Sequence, residues 1–150
     1  MKVSFVAGFG PIVSDSAESK AFWGDGLGIA LTEEAPGYFA TNHLDGVKYF
    51  SMWPLSEAAE NTFGTKEWPA DIPAPQAGIE FDVESHEAVS EAAAELEAKG
   101  YRILRGARLE DWQQTTARLL SPEGLLVGIA YTPWMHGEAQ PQEESGAPEG

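Results

Sequence analysis

The chain contains no cysteine. Disulfides, thiolate nucleophiles, Cys-ligated zinc and iron–sulfur clusters are therefore excluded. Basic residues are also scarce: 9 Lys and Arg stand against 24 Asp and Glu, a formal net charge of −15 over 150 residues. Nucleic acid and anionic membrane surfaces are held by clustered Lys and Arg, so neither is an expected partner. The field of so acidic a chain favours a cationic or neutral ligand. No apolar run approaches the ~20 residues of a membrane span, and the opening Met1 to Val6 lacks the long apolar region of a signal peptide. The expectation is a soluble, cytoplasmic protein.

What is present suffices for a core. Hydrophobic residues make up 43% of the chain, enough for one domain of this length. Residues 137–150 contain only Gly, Glu, Gln, Pro, Ser and Ala. Such a segment buries too little surface to offset its ordering entropy, and a disordered acidic tail is expected there. Its four acids removed, residues 1–136 still carry −11. Trp68 to Gln76 holds three prolines in nine residues, which disfavours both helix and ladder pairing. It reads as a linker between modules of about 1–67 and 76–136.

The two halves resemble each other. Ala7-Gly8-Phe9 to Asp15 aligns with Ala77-Gly78-Ile79 to Ser85 at an offset of 70. Each is a strand-like run ending in polar residues suited to cap a helix. Amphipathic helices are predicted over Ser16 to Trp23 and His86 to Lys99. The second carries Val89, Ala92, Ala93 and Leu96 at helical spacing and closes on Gly100. Three strand-like runs follow each helix: Gly28 to Thr32, Tyr38 to Asn42 and Val47 to Trp53, then Tyr101 to Arg105, Thr115 to Leu120 and Leu125 to Thr132. Gly- and Pro-marked turns separate them. A short helix capped by Ser56 is expected over Ser56 to Thr62. Each half thus reads β-α-β-β-β.

A βαβββ unit occurring twice resembles the vicinal-oxygen-chelate superfamily of glyoxalases, bleomycin-resistance proteins and extradiol dioxygenases. Ile12-Val13-Ser14-Asp15 leading to Phe22-Trp23 and Leu27-Gly28 is similar to the family's opening strand, helix and turn. Ser121-Pro122-Glu123-Gly124-Leu125-Leu126 is similar to its turn before the last strand. The resemblance covers roughly residues 5–134 and implies an α+β fold, with two modules forming a cupped mixed sheet and helices on the outer face. It also implies a homodimer and, in the family's enzymes, a divalent metal. Carried over, the metal-ligand positions fall on Gly8, Gly78, Gly128 and near Tyr49. Three of the four have no side chain to donate, whereas a catalytic metal takes at least three protein ligands. No metal, no cofactor and no catalytic residue is therefore expected.

Remaining chemistry is sparse. His43, His86 and His136 share no element face, and no Gly-x-Ser-x-Gly elbow is present. Sixteen aromatic residues, five of them Trp, are more informative. Trp23 reads as core, while Trp53, Trp68, Trp112 and Trp134 fall at strand ends or in loops, where they suit a pocket or an interface. Strand alternation puts Tyr49, Ser51 and Trp53 on the concave face, with Glu80 and Asp82 also there, and Phe50 and Met52 behind. The expected ligand-binding residues are Tyr49, Ser51, Trp53, Trp68, Glu80 and Trp112. The expected function is metal-free binding and sequestration of a flat aromatic or cationic small molecule, an antibiotic being one such ligand. The alternative is a metal-dependent lyase or dioxygenase with displaced ligands such as His43, Glu80 and His136.

Overall fold

The structure, a computed structural model, describes residues 1–137. The expected tail lies outside them beyond Gly137. Eight strands form one mixed sheet: β1 (Phe5–Val13), β2 (Thr32–Ala35), β3 (Tyr38–Thr41), β4 (Tyr49–Pro54), β5 (Ala77–Asp82), β6 (Ile103–Leu109), β7 (Thr115–Leu120) and β8 (Leu126–Tyr131). Their order is β2-β3-β4-β1-β5-β8-β7-β6. The two βαβββ halves meet where β1 pairs antiparallel with β5, Gly8 opposite Glu80 and Gly10 opposite Gly78. In each half the first strand pairs parallel with the last, β1 with β4 and β5 with β8.

Helix α1 (Ser16–Lys20) is capped by Asp15, whose carboxylate accepts from the Glu18 N–H at 3.0 Å. It does not continue to Trp23 as an α-helix but widens into a π-helical turn over Ala21–Gly26. That turn closes on Gly28, at φ +81°, whose N–H reaches the Gly24 carbonyl. The chain is still reversing at Gly28, so no strand forms over Gly28 to Thr32. The observed β2 is the short edge strand Thr32–Ala35, fully exposed and carrying Glu33 and Glu34. Charge on an edge discourages pairing with another chain. Its polarity leaves no apolar run in the sequence to mark it.

Helix α2 (Leu55–Phe63) follows β4 directly, with Pro54 and not Ser56 at its N-cap and no side-chain capping bond. Helix α3 (His86–Ala98) starts at the Ser85 cap, whose hydroxyl accepts from the Ala88 N–H at 3.1 Å. Its Val89, Ala92 and Ala93 pack on Ala117, Ile129 and Tyr131. On the other half, Trp23 meets Phe50, ring centroids 5.8 Å apart. Alternation then sends the intervening residues of β4, β7 and β8 to the opposite face of the sheet. Helix α2 lies on that opposite face, because Asn61 bonds Arg118 of β7 there.

After Gly100, at φ +98°, β6 begins two residues later than the sequence suggests and runs on to Leu109 through two register irregularities. Among the described residues no helix is long and apolar enough to cross a membrane.

Candidate functional site

The face opposite α3 holds a cavity of about 620 Å³. Its floor follows from the sheet register. Tyr49 pairs with Gly8, Gly8 with Glu80, Glu80 with Gly128 and Gly128 with Arg118, one row across β4, β1, β5, β8 and β7. The glycines on either side leave room for the Glu80 side chain. A Cβ at Gly128 would stand 2.8 Å from Glu80 Cγ and 3.0 Å from Arg118 Nη1.

Arg118 is a site residue that sequence reasoning missed. It is 3% exposed, and a buried guanidinium requires partners. Its Nη1 donates to Glu80 Oε2 at 3.1 Å and its Nε to Asn61 Oδ1 at 2.8 Å. Its planar group covers the Trp53 ring at 4.8 Å. Beyond it, Arg105 donates to Asn61 and to Glu110 Oε2 at 2.8 Å. Burial alone would raise the Glu110 carboxyl, but hydrogen bonds from Thr116 and Arg105, with the Arg105 charge, hold it below its ordinary range.

Gln114 ties this floor to Trp112 and Thr132. Its Oε1 accepts from Trp112 Nε1 at 2.8 Å, and its Nε2 donates to Glu80 Oε1 at 3.1 Å and to Thr132 Oγ1 at 2.8 Å. Gln113, at φ +71°, turns the chain between Trp112 and Gln114. A 3-10 turn over Pro133–His136 brings Trp134 and Met135 to the cavity lining. Asp82 anchors that turn: it accepts from the Thr132 N–H at 2.7 Å, Thr132 Oγ1 at 3.0 Å and His136 Nε2 at 2.8 Å. Asp82 is therefore fully buried and not, as alternation alone suggests, a free carboxylate in the concavity.

The other end of the cavity is phenolic. Tyr38, Tyr49 and Ser51 line it, and the Tyr49 hydroxyl donates to Glu34 of β2. Burial, with the Tyr38 and Glu34 groups alongside, pushes the Tyr49 phenol far up. Burial likewise raises Tyr38. Both are neutral hydroxyls at physiological pH. Glu57 of α2 completes the mouth, its carboxyl raised by burial and by Glu60.

Of the six residues singled out from the sequence, five line this cavity: Tyr49, Ser51, Trp53, Glu80 and Trp112. Trp68 does not. It packs edge-on against Phe63, ring centroids 4.9 Å apart, donates to the Ile72 carbonyl at 2.9 Å, and borders a separate groove along the proline-rich linker. Glu34, Tyr38, Gln114 and Arg118 also line the cavity without having been expected there. Only Arg118 left a signal: Thr115 to Leu120 alternates, and Arg118 falls on the face away from Ala117 and Leu119.

The family's metal positions do not fit a divalent ion. Gly8, Gly78 and Gly128 offer no donor, and a Gly128 side chain would begin 2.8 Å from Glu80 Cγ and 3.0 Å from the Arg118 guanidinium. Nor do His43, Glu80 and His136 converge. His43 lies in an exposed turn, Glu80 is held by Arg118 and Gln114, and His136 is bound to Asp82 between the rings of Phe5 and Tyr131. Among the described residues, no group of three or more His, Asp or Glu is placed to hold a metal.

Comparison with known proteins agrees with the architecture. A solved structure from Legionella pneumophila, described as an NAD-dependent benzaldehyde dehydrogenase, is 18% identical over 83% of this chain and 96% of its own, with a TM-score of 0.58. A glyoxalase/bleomycin resistance protein/dioxygenase superfamily member from Vibrio splendidus 12B01 is 20% identical over 87% of this chain and 98% of its own, with a TM-score of 0.56. A variant of Streptomyces coelicolor methylmalonyl-CoA epimerase, in complex with 2-nitronate-propionyl-CoA, is 18% identical over 87% of this chain and 99% of its own, with a TM-score of 0.55. At these identities the likeness is one of fold. No curated protein sequence matches the chain. The family model that matches does so over residues 9–129, and on that match the chain belongs to the Glyoxalase/Bleomycin resistance protein/Dioxygenase superfamily.

Proposed function

We propose that the chain is a metal-free small-molecule binding protein that sequesters a flat aromatic ligand, cationic or neutral, in the cavity between its two modules. One observation carries this reading. The cavity, about 620 Å³, is walled by Tyr38, Tyr49, Trp53, Trp112 and Trp134 and lined by three carboxylates against one guanidinium. The volume suits a drug-sized ligand. Aromatic walls supply stacking area, and the surplus of negative charge disfavours anions. An antibiotic of this chemistry, such as bleomycin, is a candidate. The reading as a metal-dependent lyase or dioxygenase with displaced ligands draws no support from the placement of His43, Glu80 and His136. The resemblance further leads us to propose a homodimer, to which exposed Phe22, Leu27 and Leu109 would contribute apolar surface.

Tryptophan fluorescence tests the binding reading, since Trp53, Trp112 and Trp134 all border the cavity. Titration with bleomycin, acridines and aromatic carboxylates should give saturable quenching for at least one cationic or neutral planar compound. The expected affinity is tighter than ~100 μM, as useful sequestration needs. A preference for the carboxylates, or no binding across the series, would contradict it.

A further inference from the structure

The negative charges of the cavity are unequally committed. Glu80, at the floor, has both oxygens taken: Oε1 accepts from Gln114 and Oε2 from the buried Arg118. Its charge is neutralised from within the protein, so a ligand cation there would compete with the buried Arg118 guanidinium. Glu34, at the rim, differs. It lies on the exposed edge strand β2, one of its oxygens accepts from the Tyr49 hydroxyl, and no ion pair holds it among the described residues. Beside it stand Tyr38 and Tyr49, both facing the cavity and both kept neutral. A carboxylate fixed by a phenol, next to aromatic rings, is the set of groups that holds an organic cation, by charge on one side and by ring quadrupoles on the other.

We infer that Glu34, Tyr38 and Tyr49 form the subsite for an organic ammonium or aminium group of the ligand, and that Glu80 does not. The inference rests on the proposed aromatic-binding function and deepens it. The aromatic body of the ligand lies along the cavity toward Trp53 and Trp112, and its positive group points to the β2 edge. The cation stays at the mouth, partly hydrated, which avoids the full desolvation cost of a charge carried to the floor.

The test compares two ligands of nearly equal shape, 9-aminoacridine as a cation and acridine as its neutral counterpart, by calorimetry in slightly alkaline buffer. The wild-type protein should prefer 9-aminoacridine by roughly fivefold. Glu34→Gln should bring that preference close to unity by weakening 9-aminoacridine binding, the amide oxygen still accepting from Tyr49. Glu91→Gln, which removes one equal charge from the exposed outer side of α3, should keep the preference. A preference that survives Glu34→Gln, or falls equally in Glu91→Gln, would overturn the subsite. Equal binding of both acridines by the wild type would overturn the subsite and leave the aromatic-binding function standing. Failure of both to bind would remove that function and the subsite with it.

Discussion

At the scale of single residues, three glycines at the family's ligand positions differ in what surrounds them. A Cβ at Gly78 would make ordinary contact, 3.5 Å from the Leu126 carbonyl oxygen. At Gly8 it would press on the Tyr49 carbonyl oxygen at 3.2 Å. At Gly128 it would meet the Glu80 side chain at 2.8 Å and Arg118 at 3.0 Å, both fixed by further bonds. Gly128→Ala should therefore cost about 1–3 kcal/mol, the usual range for overpacking, whereas Gly78→Ala should be close to neutral or slightly stabilising. Urea denaturation of the two variants checks this, and equal effects would show that the Glu80–Arg118 pair does not fill the Gly128 position. The glycines were visible in the sequence as missing ligands. That one of them makes room for an ion pair was not, because Glu80 and Arg118 lie 38 residues apart and nothing local to either specifies the other.

At the scale of elements, much of the architecture could be read from the chain. The caps at Asp15 and Ser85, the apolar stripe of α3 and the alternation of β4 all have local causes, and the structure has them where those causes put them. The failures share a cause too. β2 is an edge strand stabilised by pairing with β3, and the register of β6 is set by β7; partners, not propensity, decide both. Helix α2 shows the same dependence in its role. Its backbone leads from β4 into the linker, but Asn61 makes it a clamp on the second module, its side chain accepting from both Arg105 and Arg118 at 2.7 and 2.8 Å. Asn61→Ala would leave two largely buried guanidiniums short of an acceptor. We expect a loss of about 1–3 kcal/mol in denaturation experiments, together with a weaker hold on Arg118 over Trp53. A change within about 0.5 kcal/mol would mean that α2 rests on apolar contact alone.

At the scale of the whole molecule, the acidity of the chain divides into several populations. Glu110 is held below its ordinary value, so the folded state favours its ionised form. Its contribution to stability is complete above the unfolded value of 4.5 and is lost as pH falls through the depressed folded value. Asp82 runs the other way: burial raises its carboxyl above 3.8 despite the bonds from Thr132 and His136, so its contribution is lost as pH rises. Comparing wild type with Glu110→Gln isolates the first effect. The stability difference between them should be largest at neutral pH and shrink below pH 4.5; a difference independent of pH would show that Glu110 acts by shape and not by charge. Glu34 and Glu57, at the cavity mouth, are where the net charge bears on the proposed function.

The cavity between the modules is the proposed ligand site. Ser51 lines its middle, between Trp53 and Tyr49 on β4, and Ser51→Trp would fill that space with a large side chain. Calorimetric titration of this variant beside the wild type, with the planar ligand that binds best, is the most direct test. Saturable binding to the wild type is expected, with at least a roughly tenfold weaker affinity in Ser51→Trp and the folded state retained by circular dichroism. Equal affinity for the two proteins would contradict it.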